Sequence, residues 1–357
     1  MKPDAIKAAA VEVLTEVLTQ DRPASEIVNA YTRSRRYIGS KDRRVLTDLV
    51  WGYIRHRRRL SYLYPGADIR AGLDALPALP EVIDGAPGAV NNEVPDWLPS
   101  LIPDADRELP ALLSPADTIL RVNGNREQVR QELAEQGILT DPTALSPWGL
   151  RLRGRVNLNT VPAYVQGRLE VQDEGSQCVA LETGIRAGEK VLDYCAGAGG
   201  KSLIFAQMMG NVGHISAHDI SDISLAELRR RAVRAGVRII TAERPVRPGL
   251  YDHVVVDAPC SGTGTWRRCP DARWKLTPER VHTLIRTQRD ILEQVIPFVR
   301  SGGRLSYMTC SLIDSENAGQ VQAFLSRHPD FCLIRQRQFS PARTQTDGLF
   351  IAVLARK

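Results

Sequence analysis

Two cysteines lie in loops that each follow a short β-like run. Cys260 sits in Val255-Val256-Asp257-Ala258-Pro259-Cys260-Ser261-Gly262-Thr263-Gly264, and Cys310 in Leu305-Ser306-Tyr307-Met308-Thr309-Cys310-Ser311. A thiolate is a strong nucleophile, and a nearby cation brings a thiol's pKa into the working range. Loops that leave the carboxyl ends of parallel strands share one edge of the sheet, so both thiols are expected at that edge. A third such turn, Asp193-Tyr194-Cys195-Ala196-Gly197-Ala198-Gly199-Gly200-Lys201, carries glycines that let a backbone approach a ligand closely. The chemistry these groups support is nucleophilic catalysis by sulfur beside a nucleoside-like cofactor.

The Gly-rich turn narrows that cofactor. Its spacing is neither G-x-G-x-x-G nor G-x-x-x-x-G-K-[ST], because position 195 is Cys where a phosphate-binding loop needs Gly, and this argues against an ATPase. Asp219 closes His214-Ile215-Ser216-Ala217-His218-Asp219, where a carboxylate can accept hydrogen bonds from both hydroxyls of a ribose. S-adenosylmethionine, an adenosine with no phosphate to cradle, fits these features. Its expected contacts are Asp193, Cys195, Ala196, Gly197, Ala198, Gly199, Gly200 and Lys201 along the turn, with Asp219 on the ribose.

Positioning these loops requires an α/β frame. From Gln177 onward strand-like runs (190–192, 214–217, 238–240, 253–256, 304–308) alternate with helical stretches (201–209, 221–235, 278–299, 315–327). That alternation predicts a Rossmann-like, doubly wound parallel sheet over 172–357. Upstream, a strand at 118–122, a helix at 126–136, a hairpin-like pair at 149–158, a short helix at 161–166 and a strand at 168–171 read as a small ferredoxin-like α+β module over 117–171. Residues 65–116 hold nine prolines and nine acidic residues against Arg70 and Arg107, and read as a linker with broken helices. Residues 1–64 carry apolar positions at helical spacing (Ala10, Val11, Val13, Leu14, Val17, Leu18; Val45, Leu46, Leu49, Val50, Tyr53, Ile54) and read as an all-helical domain.

Composition bounds the partners. A chain of 357 residues with 43% hydrophobic and 25% charged residues is an ordinary globular protein, and it holds no apolar run long enough for a membrane span. Its six cysteines lack the short paired spacings of a zinc site, so neither metal binding nor disulfides are expected, and a cytoplasmic monomer is the fitting setting. The net charge is +6, and Arg33 to Arg59 hold ten basic residues against Asp42 and Asp48. Tyr31, Tyr37, Trp51, Tyr53 and Tyr62 are interleaved with them, a pattern that serves nucleic-acid contact as well as a solvated helix face. Arg267, Arg268 and Arg273 follow the Cys260 loop and read either as solvated side chains or, better, as phosphate contacts. A free cysteine is ordinarily a small buried hydrophobe, and Cys178, Cys195, Cys269 and Cys332 are read so.

Taken together, the motifs resemble one family, the RNA cytosine-5 methyltransferases of the RsmB/Nop/Sun group. The resemblance rests on Val171 to Gln177, Asp193 to Ser202, Asp257 to Gly264 with Arg267-Arg268-Cys269-Pro270-Asp271-Ala272-Arg273-Trp274, Tyr307 to Ser311, and Thr346 to Phe350. More loosely, the helical N-terminus resembles the antiterminator-like RNA-binding domain of that group. Two departures stand out. The family's Ala-Pro-Gly-Gly is Gly197-Ala198-Gly199-Gly200 here, and Glu243 stands where the family carries an adenine-side Asp.

The resemblance implies S-adenosylmethionine as cofactor, with Asp257 and Glu243 added to its contacts, and RNA, foremost small-subunit ribosomal RNA, as substrate. It implies Cys310 as the nucleophile at carbon 6 of cytosine, Cys260 as the residue that assists release, Asp257 near N3 of the base and Lys201 as electrostatic support. The target base has to be unpaired or flipped from its stack. Three alternatives stay open on sequence: a transfer-RNA substrate, a DNA-type mechanism with Cys260 as nucleophile, and a non-catalytic RNA-binding assembly factor.

Overall fold

The computed structural model describes residues 1–242 and 248–357. The chain forms two compact units, one of Met1–Pro115 with Thr265–Pro278, the other of Ala116–Gly264 with Glu279–Lys357.

The first unit is helical. Helices α1 (Pro3–Thr19), α2 (Ala24–Ser34), α3 (Ser40–Arg55) and α4 (Arg57–Leu63) follow the apolar periodicity, with Ile6, Ala9, Ala10, Val13, Leu14 and Val17 of α1 all facing the core. The proline-rich stretch contributes short helical turns whose Leu73, Val90, Val94, Leu98, Leu109 and Leu112 are buried in the same unit. The basic run divides in two. Arg59 is buried in an ion pair with Glu93 at 3.0 Å, and Arg55 donates to the Arg267 carbonyl, whereas Arg33, Arg36, Lys41 and Tyr37 are exposed. Thr265–Pro278 completes this unit from far along the chain. Asp271 accepts from the Ala24 amide at 3.0 Å, the Trp274 indole donates to the Ile54 carbonyl at 2.9 Å, and Trp266 is buried. Arg273 is buried as well; its guanidinium donates to the Glu93 and Leu112 carbonyls, both at 3.3 Å, and stacks on the Trp266 ring. Within this unit Arg273 is therefore internal rather than available to a phosphate.

The second unit holds two sheets. The smaller contains β1 (Ile119–Val122), β2 (Thr140–Pro142), β3 (Gly149–Leu152) and β4 (Leu169–Val171) in the order β2-β3-β1-β4, antiparallel throughout. With α5 (Arg126–Glu135) and α6 (Pro162–Val165) it has the β-α-β-β-α-β order of a ferredoxin-like module. The hairpin differs from the expectation. Its two strands are β2 and β3, joined across Ser146; the Arg153 amide adds one bond to the Leu139 carbonyl at 2.9 Å, and Gly154 at φ +85 then turns the chain out of the sheet.

The larger sheet contains β5 (Lys190–Asp193), β6 (His214–Ala217), β7 (Ile240–Ala242), β8 (Tyr251–Asp257), β9 (Val299–Thr309), β10 (Phe331–Phe339) and β11 (Leu349–Arg356), ordered β10-β11-β9-β8-β5-β6-β7. Strands β5 to β9 pair in parallel, and the terminal hairpin β10–β11 adds antiparallel to β9. Helices α7 (Glu174–Glu182), α8 (Gly200–Met208), α9 (Asp222–Arg234), α10 (Pro278–Val295) and α11 (Ala318–Arg327) accompany it. Val191 and Leu192 of β5 and Val254, Val255 and Val256 of β8 are buried on both faces of the sheet, which is why these strands read as continuous apolar runs. Strand β7 begins two residues later than expected, because Gly236 at φ +66 closes α9 and the Val237 amide turns back onto the Ala232 carbonyl. The strand order reverses between β5 and β8, so their carboxyl ends open a crevice there.

Candidate active site

Strand β5 delivers Asp193 to that crevice. Its carboxyl is fully buried; Oδ2 accepts from Ser202 Oγ at 2.6 Å, while Oδ1 has no partner among the described residues. Burial pushes its pKa up to about 7. The chain then makes its turn through Gly197 at φ +53 and Gly199 at φ +81. A β-carbon at Gly199 would stand 2.6 Å from Leu228 Cγ, so glycine answers both a left-handed backbone and a close approach. Where the family carries proline, the Ala198 carbonyl accepts from Arg231 at 2.7 Å, and Arg231 is itself paired with Glu170 of β4 at 2.9 Å. Gln172 donates to the Gly200 carbonyl at 3.1 Å, a second tie from the small module to the turn.

Asp219 lies two residues beyond β6 and spans two backbones. Oδ2 accepts from the Gly197 amide and Oδ1 from the Ser221 amide, each at 2.8 Å, which leaves further lone pairs for a ligand. A cavity of about 490 Å³ adjoins it, lined by His218, Asp219, Ile220, Asp222, Leu225, Arg229 and Ala242. Cys195 packs its side chain against the core with Tyr194, and burial pushes its thiol well up; Ala196 is buried, so both meet the crevice through their backbone. Glu243 lies outside the described residues.

The other sequence-selected groups converge. Asp257 ends β8 and pairs with Lys201, the second residue of α8, at 2.5 Å. Burial alone would lower the Lys201 pKa, but the Asp257 charge and hydrogen bond, followed by Cys310 and Asp193, hold it above its ordinary value. Cys260 Sγ lies 3.2 Å from Cys310 Sγ, and the Cys310 amide donates to Cys260 Sγ at 3.2 Å. The hydrogen bond to Cys310, burial and the charges of Cys310 and Glu316 push the Cys260 thiol well up. Elsewhere burial pushes Cys178 up to about 12, and Cys269 and Cys332 are exposed.

One residue absent from the sequence reading joins the two cysteine loops. Glu316 is fully buried; Oε1 accepts from the Ser261 amide at 2.8 Å and Gln288 Nε2 at 2.9 Å, and Oε2 accepts from Ser261 Oγ and Ser311 Oγ, each at 2.5 Å. Its backbone carbonyl accepts from Tyr307 OH at 2.7 Å. On sequence it falls inside the helical stretch 315–327, where nothing sets it apart; the structure places it in the 3-10 turn Asp314–Glu316 just before that helix. Among the described residues no group of three or more His, Cys, Asp or Glu is arranged to hold a metal ion, and no helix is long and apolar enough to cross a membrane.

The chain is similar to several known proteins. Residues 180–355 match the family described as 16S rRNA methyltransferase RsmB/F. The Serratia proteamaculans ribosomal RNA small subunit methyltransferase B is 31% identical over 83% of this chain and 67% of its own length. The Synechocystis protein named probable ribosomal RNA small subunit methyltransferase B is 38% identical over 59% of this chain and 50% of its own. The chain thus spans about half to two thirds of the length of these curated relatives. In fold it is similar to the crystal structure of PH0851, with a TM-score of 0.82 over 99% of each chain at 22% identity.

Proposed function

This chain belongs to the 16S rRNA methyltransferase RsmB/F family, and on that premise we propose that it methylates carbon 5 of a cytosine in small-subunit ribosomal RNA, using S-adenosylmethionine. The observation that carries the reading is the sulfur pair, 3.2 Å apart, with burial, Cys310 and Glu316 all disfavouring a thiolate at Cys260. Such a pair offers Cys310 as nucleophile and Cys260 as proton donor, and it disfavours the DNA-type assignment in which Cys260 attacks.

Carbon 5 of cytosine is too weakly nucleophilic to take a methyl group unaided. Addition of Cys310 Sγ to carbon 6 moves electron density toward N3 and makes carbon 5 enamine-like. Asp257, held by Lys201, serves the N3 side, where a shared proton offsets the developing charge. The turn Asp193 to Lys201 and the Asp219 carboxylate suit an adenosine that carries a cationic amino-acid tail: the unpartnered Asp193 oxygen offers an acceptor, and the left-handed glycines offer a close backbone approach. S-adenosylmethionine held there supplies a sulfonium-activated methyl group. After transfer, the Cys310 sulfur departs from carbon 6 with the neighbouring Cys260 thiol as its proton source, and the Cys260 thiolate so formed takes the carbon-5 proton, which restores the ring double bond and leaves the one proton released by methylation on the sulfur pair. Both thiols have to stay reduced for this, which agrees with a cytoplasmic setting and with six free cysteines.

A denaturing gel of wild type, Cys260→Ala and Cys310→Ala with labelled small-subunit RNA and S-adenosylmethionine tests the assignment. The expected result is a protein–RNA band that accumulates in Cys260→Ala and is missing in Cys310→Ala. The reverse pattern would make Cys260 the nucleophile. RNA binding without methyl transfer in wild type would point to a binding factor, and methylation of transfer RNA alone would move the substrate.

A further inference from the structure

The two sulfurs come from separate loops, one after β8 and one after β9, so some element has to set the distance between them. Backbone pairing of β8 with β9 ends at Asp257 and Met308, short of both cysteines. Beyond that point the loops are joined by the direct sulfur contact, by the Gly264 amide to the Cys310 carbonyl at 3.0 Å, by Thr263 Oγ1 with the Leu312 amide at 2.8 Å and the Ser311 hydroxyl at 3.2 Å, by the Ser261 and Ser311 hydroxyls at 3.1 Å, and by Glu316. Glu316 reaches the residue after each cysteine with one charged side chain, as the Thr263 hydroxyl does more weakly at 3.3 and 3.2 Å.

We propose that Glu316 is a positioning residue that locks the Cys260 and Cys310 loops together, so that the two sulfurs stay within proton-transfer distance during the reaction; this rests on the methyl-transfer reading above. Four donors occupy the carboxylate, about as many as its lone pairs accept, so it has no capacity left to act as a ligand group. Burying a carboxylate is costly unless it is fully hydrogen-bonded, and an apolar side chain would fill the space without that cost. An apolar side chain would also leave the Ser261 amide and two hydroxyls without their acceptor. Gln288 extends the tie, since its Nε2 also donates to the Pro259 carbonyl at 3.0 Å, the residue before Cys260. On the other loop Asn317 Nδ2 donates to the Ser311 carbonyl at 2.9 Å and its Oδ1 accepts from Thr309 Oγ1 at 2.5 Å. Each cysteine is thus bracketed before and after by groups anchored on the turn Asp314–Asn317 or on α10.

Charge gives the lock a second consequence. The charges of Cys310 and Glu316 act on the Cys260 thiol from one side and the Gly262 amide opposes them, with Tyr307 beneath. The Glu316 charge disfavours a thiolate at Cys260 and so helps keep its proton in place.

The test is residue-resolved alkylation of the full chain with iodoacetamide from pH 6 to 10, read by peptide mass spectrometry. Glu316→Gln keeps the volume and removes the charge. The expected result is Cys260 alkylation about tenfold faster than in wild type at equal pH across that range, with Cys178 still protected. Methyl transfer should fall about tenfold or more in kcat, with KM for S-adenosylmethionine within about twofold. Cys260 alkylation at the wild-type rate across that range overturns the proposal. If Cys178 becomes reactive, the variant has opened, and the double variant Ser261→Ala/Ser311→Ala takes its place, keeping the carboxylate and cutting both hydroxyl ties. There a loss in kcat with Cys178 protected supports the lock, and wild-type kcat overturns it. Alkylation needs no RNA, so a wild type that methylates nothing would sink the functional reading and leave the Glu316 measurement standing.

Discussion

Replacing Asp193 by Asn should make the protein more stable in a way that depends on pH. The carboxyl is fully buried, and burial raises its pKa from 3.8 to about 7 in the folded chain. Between those values the unfolded chain has released the proton and the folded chain has kept it, so wild-type stability falls as pH rises, by about 1.4 kcal/mol per unit. The group carries no such penalty below about pH 4, and above about pH 7 the penalty reaches its full size, at most about 4 kcal/mol. Asn is neutral throughout, so its advantage over wild type grows from about 1.5 kcal/mol at pH 5 to about 4 kcal/mol at pH 8. A constant offset of about 1–2 kcal/mol runs against this, because the amide places two donors where Oδ1 has no partner. Urea unfolding of both proteins at half-unit steps from pH 5 to 8.5 reads the difference directly. A difference that stays flat across that range would refute the argument. The same variant should bind S-adenosylmethionine more weakly at every pH, since it loses the acceptor that the cofactor's ammonium would use.

Gly199→Ala should cost about 2–4 kcal/mol and Gly197→Ala only about 1 kcal/mol, because both are left-handed but only the first drives a methyl into Leu228; urea midpoints of equal size would contradict this. Arg273→Ala should destabilise the helical unit by about 2–4 kcal/mol, as two buried carbonyls lose their donor and Trp266 loses its stacking partner. Trp51, Trp97, Trp266 and Trp274 all lie in that unit, so tryptophan fluorescence during thermal unfolding checks it, and an unchanged midpoint would count against the packing argument.

What the sequence made legible followed from local chemistry. Asp193, Asp219, Asp257, Cys260 and Cys310 all stand at or just past strand ends, and short apolar runs before them marked those ends. The Glu316 hub left no such mark, because its meaning lies in four partners drawn from three separate segments. Strand β10 was hidden for a different reason. Phe331–Phe339 is an edge strand whose interior is largely exposed, so it has no alternation of buried and solvated positions to read. Strand β11 has the opposite problem: Leu349–Leu354 is apolar and buried throughout, a pattern that periodicity alone does not tell from helix. The basic run between Arg33 and Arg59 looked uniform in composition, yet Arg59 found Glu93 from the proline-rich stretch, a pairing set by tertiary contact. Arg273 was read as a phosphate contact on the same kind of local grounds.

The helical unit takes its last piece, Thr265–Pro278, from a stretch translated well after Pro115. At a synthesis rate of about 5–20 residues per second, the interval is roughly 8–30 s. Helix–coil and collapse events are complete within microseconds, so the N-terminal helices wait on the ribosome with the seats of Trp266, Arg273 and Trp274 unfilled. During that interval the strands that carry Asp193 and Asp257 emerge first. Final closure of the helical unit is therefore ordered after the catalytic strands by the direction of translation, and a chaperone that covers exposed apolar surface has its longest opportunity in between.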